Sequence, residues 1–189
     1  VRRAFVPSQG SWLFLAADYS QIELRILAHL SEDEALVEAF QKGQDIHRVT
    51  ASEIFQVSPE AVTSDQRAVA KTINFGILYG MSAFGLAREL GLEPSQAEEF
   101  IEKYFTRYPR IRRFLEISLE ESRRRGYCVT LLNRRRYIPE LSAKESTVRQ
   151  FAERMAINAP IQGSAADLIK VAMVELDAAL IERRLCARM

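Results

Sequence analysis

Arg67–Gly80 reads RAVAKTINFGILYG, and its periodicity decides how the chain is built. Arg67, Lys71, Phe75 and Tyr79 recur every fourth residue. On a helix each such step drifts by roughly 40°, so the four share one stripe. Val69, Ile73, Gly76 and Ile77 fall on the opposite side, which leaves one face apolar enough to pack. The stripe carries two cations and then two aromatic rings, in that order along the axis. A nucleoside triphosphate has the matching order, a polyanion at one end and a sugar with a flat base at the other. Cations hold phosphate oxygens, and rings pack against sugars and bases. The same spacing also suits an amphipathic helix with a solvated basic edge, and spacing alone leaves both readings open.

Residues 12–30 read WLFLAADYSQIELRILAHL. The apolar run Trp12–Ala17 ends in Asp18, and residues 12–18 read as a strand buried on at least one side. Ile22, Ile26 and Leu30 keep helical spacing, so a helix starts near Gln21. Asp18 suits a turn that caps this helix, or a carboxylate that faces a cleft and holds Mg²⁺ with oxygen ligands. Ser20-Gln21-Ile22-Glu23 has the form of a capping box, with Glu23 reaching back to the first amides.

Together these segments carry a resemblance. DYSQIELR resembles the first catalytic motif of family A DNA polymerases, the bacterial DNA polymerase I type. RAVAKTINFGILYG resembles the second, the nucleotide-binding helix of the fingers. The intervening Asp45–His47 and the later NAPIQGSAADLIK, Asn158–Lys170, are similar to that family's in order and separation. The resemblance covers nearly the whole chain. It implies template-directed DNA synthesis in replication and repair, by two-metal nucleotidyl transfer from deoxynucleoside triphosphates onto primer-template DNA.

The resemblance also implies roles. Asp18 holds two Mg²⁺ ions with help from the backbone carbonyl of Tyr19. Arg67 and Lys71 take the triphosphate, Lys71 also serving as general acid for pyrophosphate. Gln21 and His47 join the nucleotide contacts, with His47 near the outer phosphates; read without the family, His47 is a neutral surface or capping histidine. Glu23 lies under the incoming sugar and leaves no room for a 2′-hydroxyl, a role that competes with capping. Phe75 packs on sugar and base, although a core position is the usual fate of Phe. Tyr79 fills the template-base position before the fingers close and is able to bond Glu23, while Gly80 allows the turn beside it. Arg154, Asn158 and Gln162 recur at i, i+4, i+8, opposite Met155, Ala156 and Ile157. That stripe reads as a solvated edge or, by resemblance, as a contact to the primer-template minor groove, where correct pairs present similar acceptors. Of the basic clusters Arg123–Arg125 and Arg134–Arg136, Arg136 matches a DNA-backbone contact.

The chain has 189 residues, 48% hydrophobic and 27% charged, an ordinary balance with enough apolar material for a core. Its net charge of +1 gives no sign of a uniformly basic surface. Arg outnumbers Lys 21 to 5, which suits bidentate phosphate contacts but equally follows from a GC-rich genome. Cys128 and Cys186 form no metal-type cluster and read as free thiols in a reducing compartment. No run of 18 apolar residues and no signal-like start occurs, so a cytoplasmic monomer without a membrane anchor is expected.

Helical patterns continue at 33–42 and 46–55, with a short turn at Ser58–Pro59. The Arg67 helix stops at Tyr79–Gly80, where glycine permits a left-handed cap. Further helices are expected at about 82–90, 95–106 and 110–125, broken by Gly91 and Pro109. Tyr127–Leu132 and Tyr137–Ile138 flank Asn133–Arg134 as a hairpin, and two helices, about 145–159 and 163–184, close the chain. The expected class is α+β and helix-rich, part of a right-hand polymerase fold. Residues 1–32 and 127–189 form a palm with a small sheet, and 33–126 form helical fingers. The family's third motif, a strand bearing His-Asp-Glu, would follow Cys186–Met189. A fragment lacking the second catalytic Asp, inactive by itself, is therefore expected. Two other classes stand beside this reading: a non-catalytic nucleic-acid or nucleotide-binding remnant, and a relative of single-subunit RNA polymerases.

Overall fold

A computed structural model describes residues 4–189; residues 1–3, the start of the expected 1–32 palm segment, lie outside the described residues. The helices are α1 (Ile22–Ser31), α2 (Glu34–Gln41), α3 (Ile46–Phe55), α4 (Ser64–Leu78), α5 (Ala83–Leu90), α6 (Pro94–Arg107), α7 (Pro109–Arg125) and α8 (Ser146–Glu182). Short 3-10 turns occupy Pro59–Ala61 and Pro139–Ser142, and strands β1 (Tyr127–Val129) and β2 (Arg135–Tyr137) lie between α7 and α8.

The helix starts follow from side chains that accept from otherwise orphaned amides. Asp33 caps α2 through Leu36 N at 3.2 Å, and its other oxygen accepts from Arg110 N at 3.1 Å. One buried carboxylate thus ties the start of α2 to the first turn of α7. Thr63 and Gln66 form a reciprocal capping box that begins α4. Gly91 ends α5 at φ 66°, and Pro109 opens α7, so both breaks occur as the sequence suggests.

Leu24, Leu27, Leu36, Ile46, Ile73 and Leu78 are fully buried in the main core, and Tyr104, Tyr108 and Ile111 close it from α6 and α7. Each buried aliphatic side chain contributes about 1.5–3 kcal/mol against leaving it in water. A second cluster joins Cys128, Ile138 and Leu141 to Ala152, Ala156 and Ala159 of α8. The alanines let the hairpin and the following turn approach the helix closely.

Three expectations change. Residues 12–18 form no strand, and Leu13 and Leu15 are each 94% exposed. A strand needs a partner for its amides and carbonyls, and among the described residues β1 and β2 pair only with each other. The hairpin exists, with Tyr127 opposite Tyr137 and Asn133 at φ 60°, but the turn absorbs Thr130–Arg134 and shortens β1. Finally, the two expected closing helices are one. Pro160 lies inside α8. It removes one amide donor, yet Ala156 and Ala159 before it and Ile161, Ser164 and Ala165 after it are buried and carry the helix across the missing bond.

Gly163 serves close packing and does not end the helix. A Cβ there would meet Thr130 Cγ2 at 2.6 Å. Around this contact Asp167, only 2% exposed, accepts from Thr130 Oγ1 at 2.5 Å and Arg134 Nε at 2.7 Å. Ser164 Oγ accepts from Leu131 N at 2.9 Å. The turn of the hairpin is therefore pinned to α8. Gly163→Ala is expected to cost about 1–3 kcal/mol by overpacking, read by urea unfolding. Thr130→Ser keeps the hydroxyl but removes the clashing methyl, so the double variant should recover most of the loss.

Candidate nucleotide and nucleic-acid site

The α4 stripe forms as its spacing predicts. Ala70, Ile73, Gly76 and Ile77 are buried, Lys71 is exposed, and Arg67, Phe75 and Tyr79 are half-buried. Phe75 and Tyr79 stack at 6.0 Å between ring centroids. Phe75 is not a core aromatic: it is only half-buried and lies outside the main core cluster.

Arg67 is held in place. Its Nε donates to Asp45 Oδ2 at 2.6 Å, and the other Asp45 oxygen caps α3 through His47 N and Arg48 N. Burial works to raise the Asp45 pKa, but the Arg67 guanidinium and the two amides outweigh it and hold the carboxylate below its ordinary range. This partly exposed pair is worth up to about 1 kcal/mol. Its larger effect is to orient the guanidinium. Lys71 makes no ion pair among the described residues.

His47 is 3% exposed, so the surface reading fails. Asn74 Nδ2 lies 3.1 Å from His47 Nδ1, and Thr50 Oγ1 lies 3.2 Å from both amide atoms of Asn74. The ring sits 5.8 Å from that of Phe75. Burial lowers the His47 pKa; Asp45 opposes this, and the Arg67 and Lys71 charges reinforce it. The imidazole is neutral at pH 7.

At the other end of α4, the Tyr79 hydroxyl donates to Glu23 Oε2 at 2.7 Å. Burial, then the Glu23 hydrogen bond and charge, push the phenol up to about 12, with Gln162 pulling the other way. The Ser20–Glu23 capping box does not form. Gln21 occupies the N-cap in the left-handed region, φ 55°, and no side chain caps α1. Ser20 is thus one residue too early to cap, and Glu23 is committed to Tyr79. Gly80 has φ +65°, and a Cβ there would come within 3.3 Å of Ile157 Cδ1 and 3.6 Å of Arg154 Cγ. The end of α4 therefore rests on α8.

That contact brings the two stripes together. Arg154 and Gln162 are exposed on α8 and Asn158 is half-buried between them, its Oδ1 sealed without a partner among the described residues. Arg136 Nη2 lies 3.6 Å from Met155 Sδ, so the exposed β2 arginine borders the same helix. Asp18 and Tyr19 are exposed on the irregular segment before α1. A carboxylate and a backbone carbonyl are hard oxygen donors of the kind Mg²⁺ takes, with waters and substrate phosphates filling the shell. Among the described residues no group of three or more metal-type side chains occurs.

Sequence reading missed Asn74, Asp45 as the Arg67 partner, and Asp167. Asn74 left a signal: it is a polar residue flanked on the apolar face of α4 by Ala70, Ile73 and Ile77. Asp167 left none, because its partners lie across the hairpin turn.

The ridge of two cations and two rings on α4 is thus tied through Tyr79 to Glu23 of α1, on a helix-rich α+β scaffold. The description DNA polymerase family A matches residues 1–189, and the chain belongs to that family. It is 54% identical to DNA polymerase I of Bacillus caldotenax over its whole length, which is 22% of that protein. It is 57% identical over 176 residues to the thermostable DNA polymerase I of Thermus aquaticus, 93% of this chain and 21% of the other. The chain thus spans about a fifth of these relatives. A solved structure of the POL domain of Pol1 from M. smegmatis, in complex with DNA primer-template and dNTP, superposes with a TM-score of 0.88 at 47% identity. It covers 90% of this chain and 30% of that one. The fold is therefore part of a right-hand polymerase. No helix among the described residues is long and apolar enough to cross a membrane.

The buried neutral His47 has a consequence for stability. Its folded pKa lies below the ordinary 6.5, so below that pH the unfolded state binds the extra proton. Stability is complete above about 6.5 and falls as pH drops toward the folded value. In urea titrations at pH 7, 6 and 5, His47→Gln should flatten this part of the decline; an unchanged slope would contradict it.

Proposed function

We propose that this chain is the nucleotide-selecting part of a template-directed DNA polymerase that extends primer-template DNA from deoxynucleoside triphosphates in replication and repair. One observation carries the reading. Two cations and two rings form an accessible ridge on α4, and the ring end of that ridge bonds Glu23, close in sequence to Asp18. Residues 33–126 act as fingers, and 1–32 with 127–189 belong to the palm.

Arg67, oriented by Asp45, and Lys71, exposed on α4, hold the triphosphate. Their attraction strengthens as charge moves onto the leaving pyrophosphate. Lys71 is placed to donate a proton to that group. His47 adds a contact to the outer phosphates. Phe75 receives the sugar and base, and Gln21 with Glu23 lines the sugar side. Glu23 takes the position where a 2′-hydroxyl would otherwise fit. Tyr79 holds the template-base position until α4 moves, and Gly80 gives the turn that permits this. Gln162 beside Tyr79, with Asn158 and Arg154, faces the minor groove of the nascent duplex, while Arg136 contacts the backbone.

Asp18 and the Tyr19 carbonyl would hold the Mg²⁺ ions, two in the complete enzyme, which neutralise phosphate charge and activate the primer hydroxyl when bound. We place the enzyme in the cytoplasm as a monomer, consistent with the free thiols of Cys128 and Cys186. A remnant that binds nucleotides without chemistry would present the same ridge, so the test must read chemistry.

Primer extension by the full-length protein decides between them. Asp18→Asn should lower extension at least about 100-fold while dNTP binding to the ridge persists; retained turnover would overturn the reading. Glu23→Ala should raise ribonucleotide incorporation on the order of 10–100-fold by opening the sugar side. Unchanged discrimination would assign Glu23 only to holding Tyr79.

A further inference from the structure

Beneath the ridge, Asn74 joins His47 and Thr50 in a buried polar cluster. Asn74 is fully buried on α4, three residues after Lys71 and one before Phe75. A buried amide costs stability unless its donors and acceptors are used. Here they are used on two residues of α3: Nδ2 points at His47 Nδ1, and Thr50 Oγ1 lies at equal distance from both amide atoms and holds the amide plane. The ring nitrogen that meets Nδ2 is an acceptor. Its proton is therefore on Nε2. Among the described residues Nε2 has no hydrogen-bond partner, and it is not one of the sealed, unpartnered polar atoms. That edge is the ring's outlet, beside Phe75 and the two cations.

We propose that Asn74 is a positioning residue that fixes His47 as its Nε2–H tautomer, giving the ridge a neutral hydrogen-bond donor for a phosphate oxygen beside Arg67 and Lys71. This rests on the nucleotide reading of the ridge. The charged groups facing the ring are Asp45 at the start of its own helix and Arg67 and Lys71 on α4. A third cation packed against those two would repel them before any ligand arrived. A neutral donor adds a directed bond without that cost. Asn74 also guards the state once the polyanion binds, because protonating Nδ1 would set two donors face to face. The opposite amide orientation would put Oδ1 against the ring and require Nδ1–H; the two arrangements have different spectra.

The test uses the full-length protein carrying ¹⁵N-labelled histidine, with the His47 signals assigned by their loss in His47→Gln. The expected long-range ¹H–¹⁵N pattern at pH 7.5 has Nε2 protonated and Nδ1 bare, and persists below pH 6.5. An Nδ1–H pattern, or an imidazolium at pH 7, overturns the proposal. Asn74→Leu should give a mixture of tautomers. Asn74→Asp, whose carboxylate accepts from Nδ1, should move the proton and raise the titration midpoint. If both variants keep the parent pattern, the proposal fails. In the primer-template complex, Asn74→Leu should raise the dNTP Kd about fivefold, the size of one hydrogen bond, and add nothing in a His47→Gln background. An equal loss in that background would make Asn74 a support of the fold alone and overturn its positioning role. If His47→Gln binds dNTP like the parent while Arg67→Ala still weakens binding, the donor role falls and the nucleotide reading stands. If Arg67→Ala is also without effect, the nucleotide reading itself falls.

Discussion

A single hydrogen bond, 2.7 Å from the Tyr79 hydroxyl to Glu23, joins the end of α4 to the start of α1. Gly80 then lets the chain turn against Arg154 and Ile157 of α8. Three helices distant in sequence meet at this point. The bond is between a neutral phenol and a carboxylate, and partial burial keeps the phenol protonated far above neutral pH. It is therefore available as a donor at any pH the folded protein meets. It is also a contact that can be exchanged, because both partners retain access to solvent. Any motion of α4 relative to α1 and α8 has to break or remake it.

The other end of α4 is organised by charge. Asp45 does two jobs, capping α3 with one oxygen and orienting Arg67 with the other. This keeps one cation aimed while Lys71, the second, extends into solvent. The histidine beneath them is neutral because burial and two nearby cations oppose its protonation more than Asp45 favours it. The ridge thus combines an oriented cation, an exposed cation and a buried polar ring. Rigid support comes from the apolar side of α4, whose Ile73, Ile77 and Leu78 sit in the main core.

Much of this was legible in the residues. Arg67, Lys71, Phe75 and Tyr79 announce a stripe by spacing alone, and Asn133 announces its turn. The boundaries of α3 follow from Asp45 at one end and the helical period after it. Other features misled for identifiable reasons. Trp12–Ala17 has the composition of a strand, but a strand is a relation between two segments, and the run cannot specify its partner. Ser20–Glu23 has the spelling of a capping box, but the left-handed Gln21 shifts the N-cap by one residue. Pro160 and Gly163 look like a helix break, yet the packing of Ile161 and Ala165 outweighs one lost backbone bond, and Gly163 is needed where Thr130 presses on the helix.

By itself the sequence determined which residues share a helical face, because that depends only on the fixed rotation per residue. It also determined the chemistry each face offers. Tertiary structure alone decided which faces meet: Glu23 with Tyr79 and not with its own helix start, Asn74 with His47, and Asp167 with Arg134 and Thr130. Those pairings join residues 27 to 56 positions apart, and local periodicity carries no information over such distances. They are set by how the apolar faces close into one core, which then leaves each buried polar group a single set of partners.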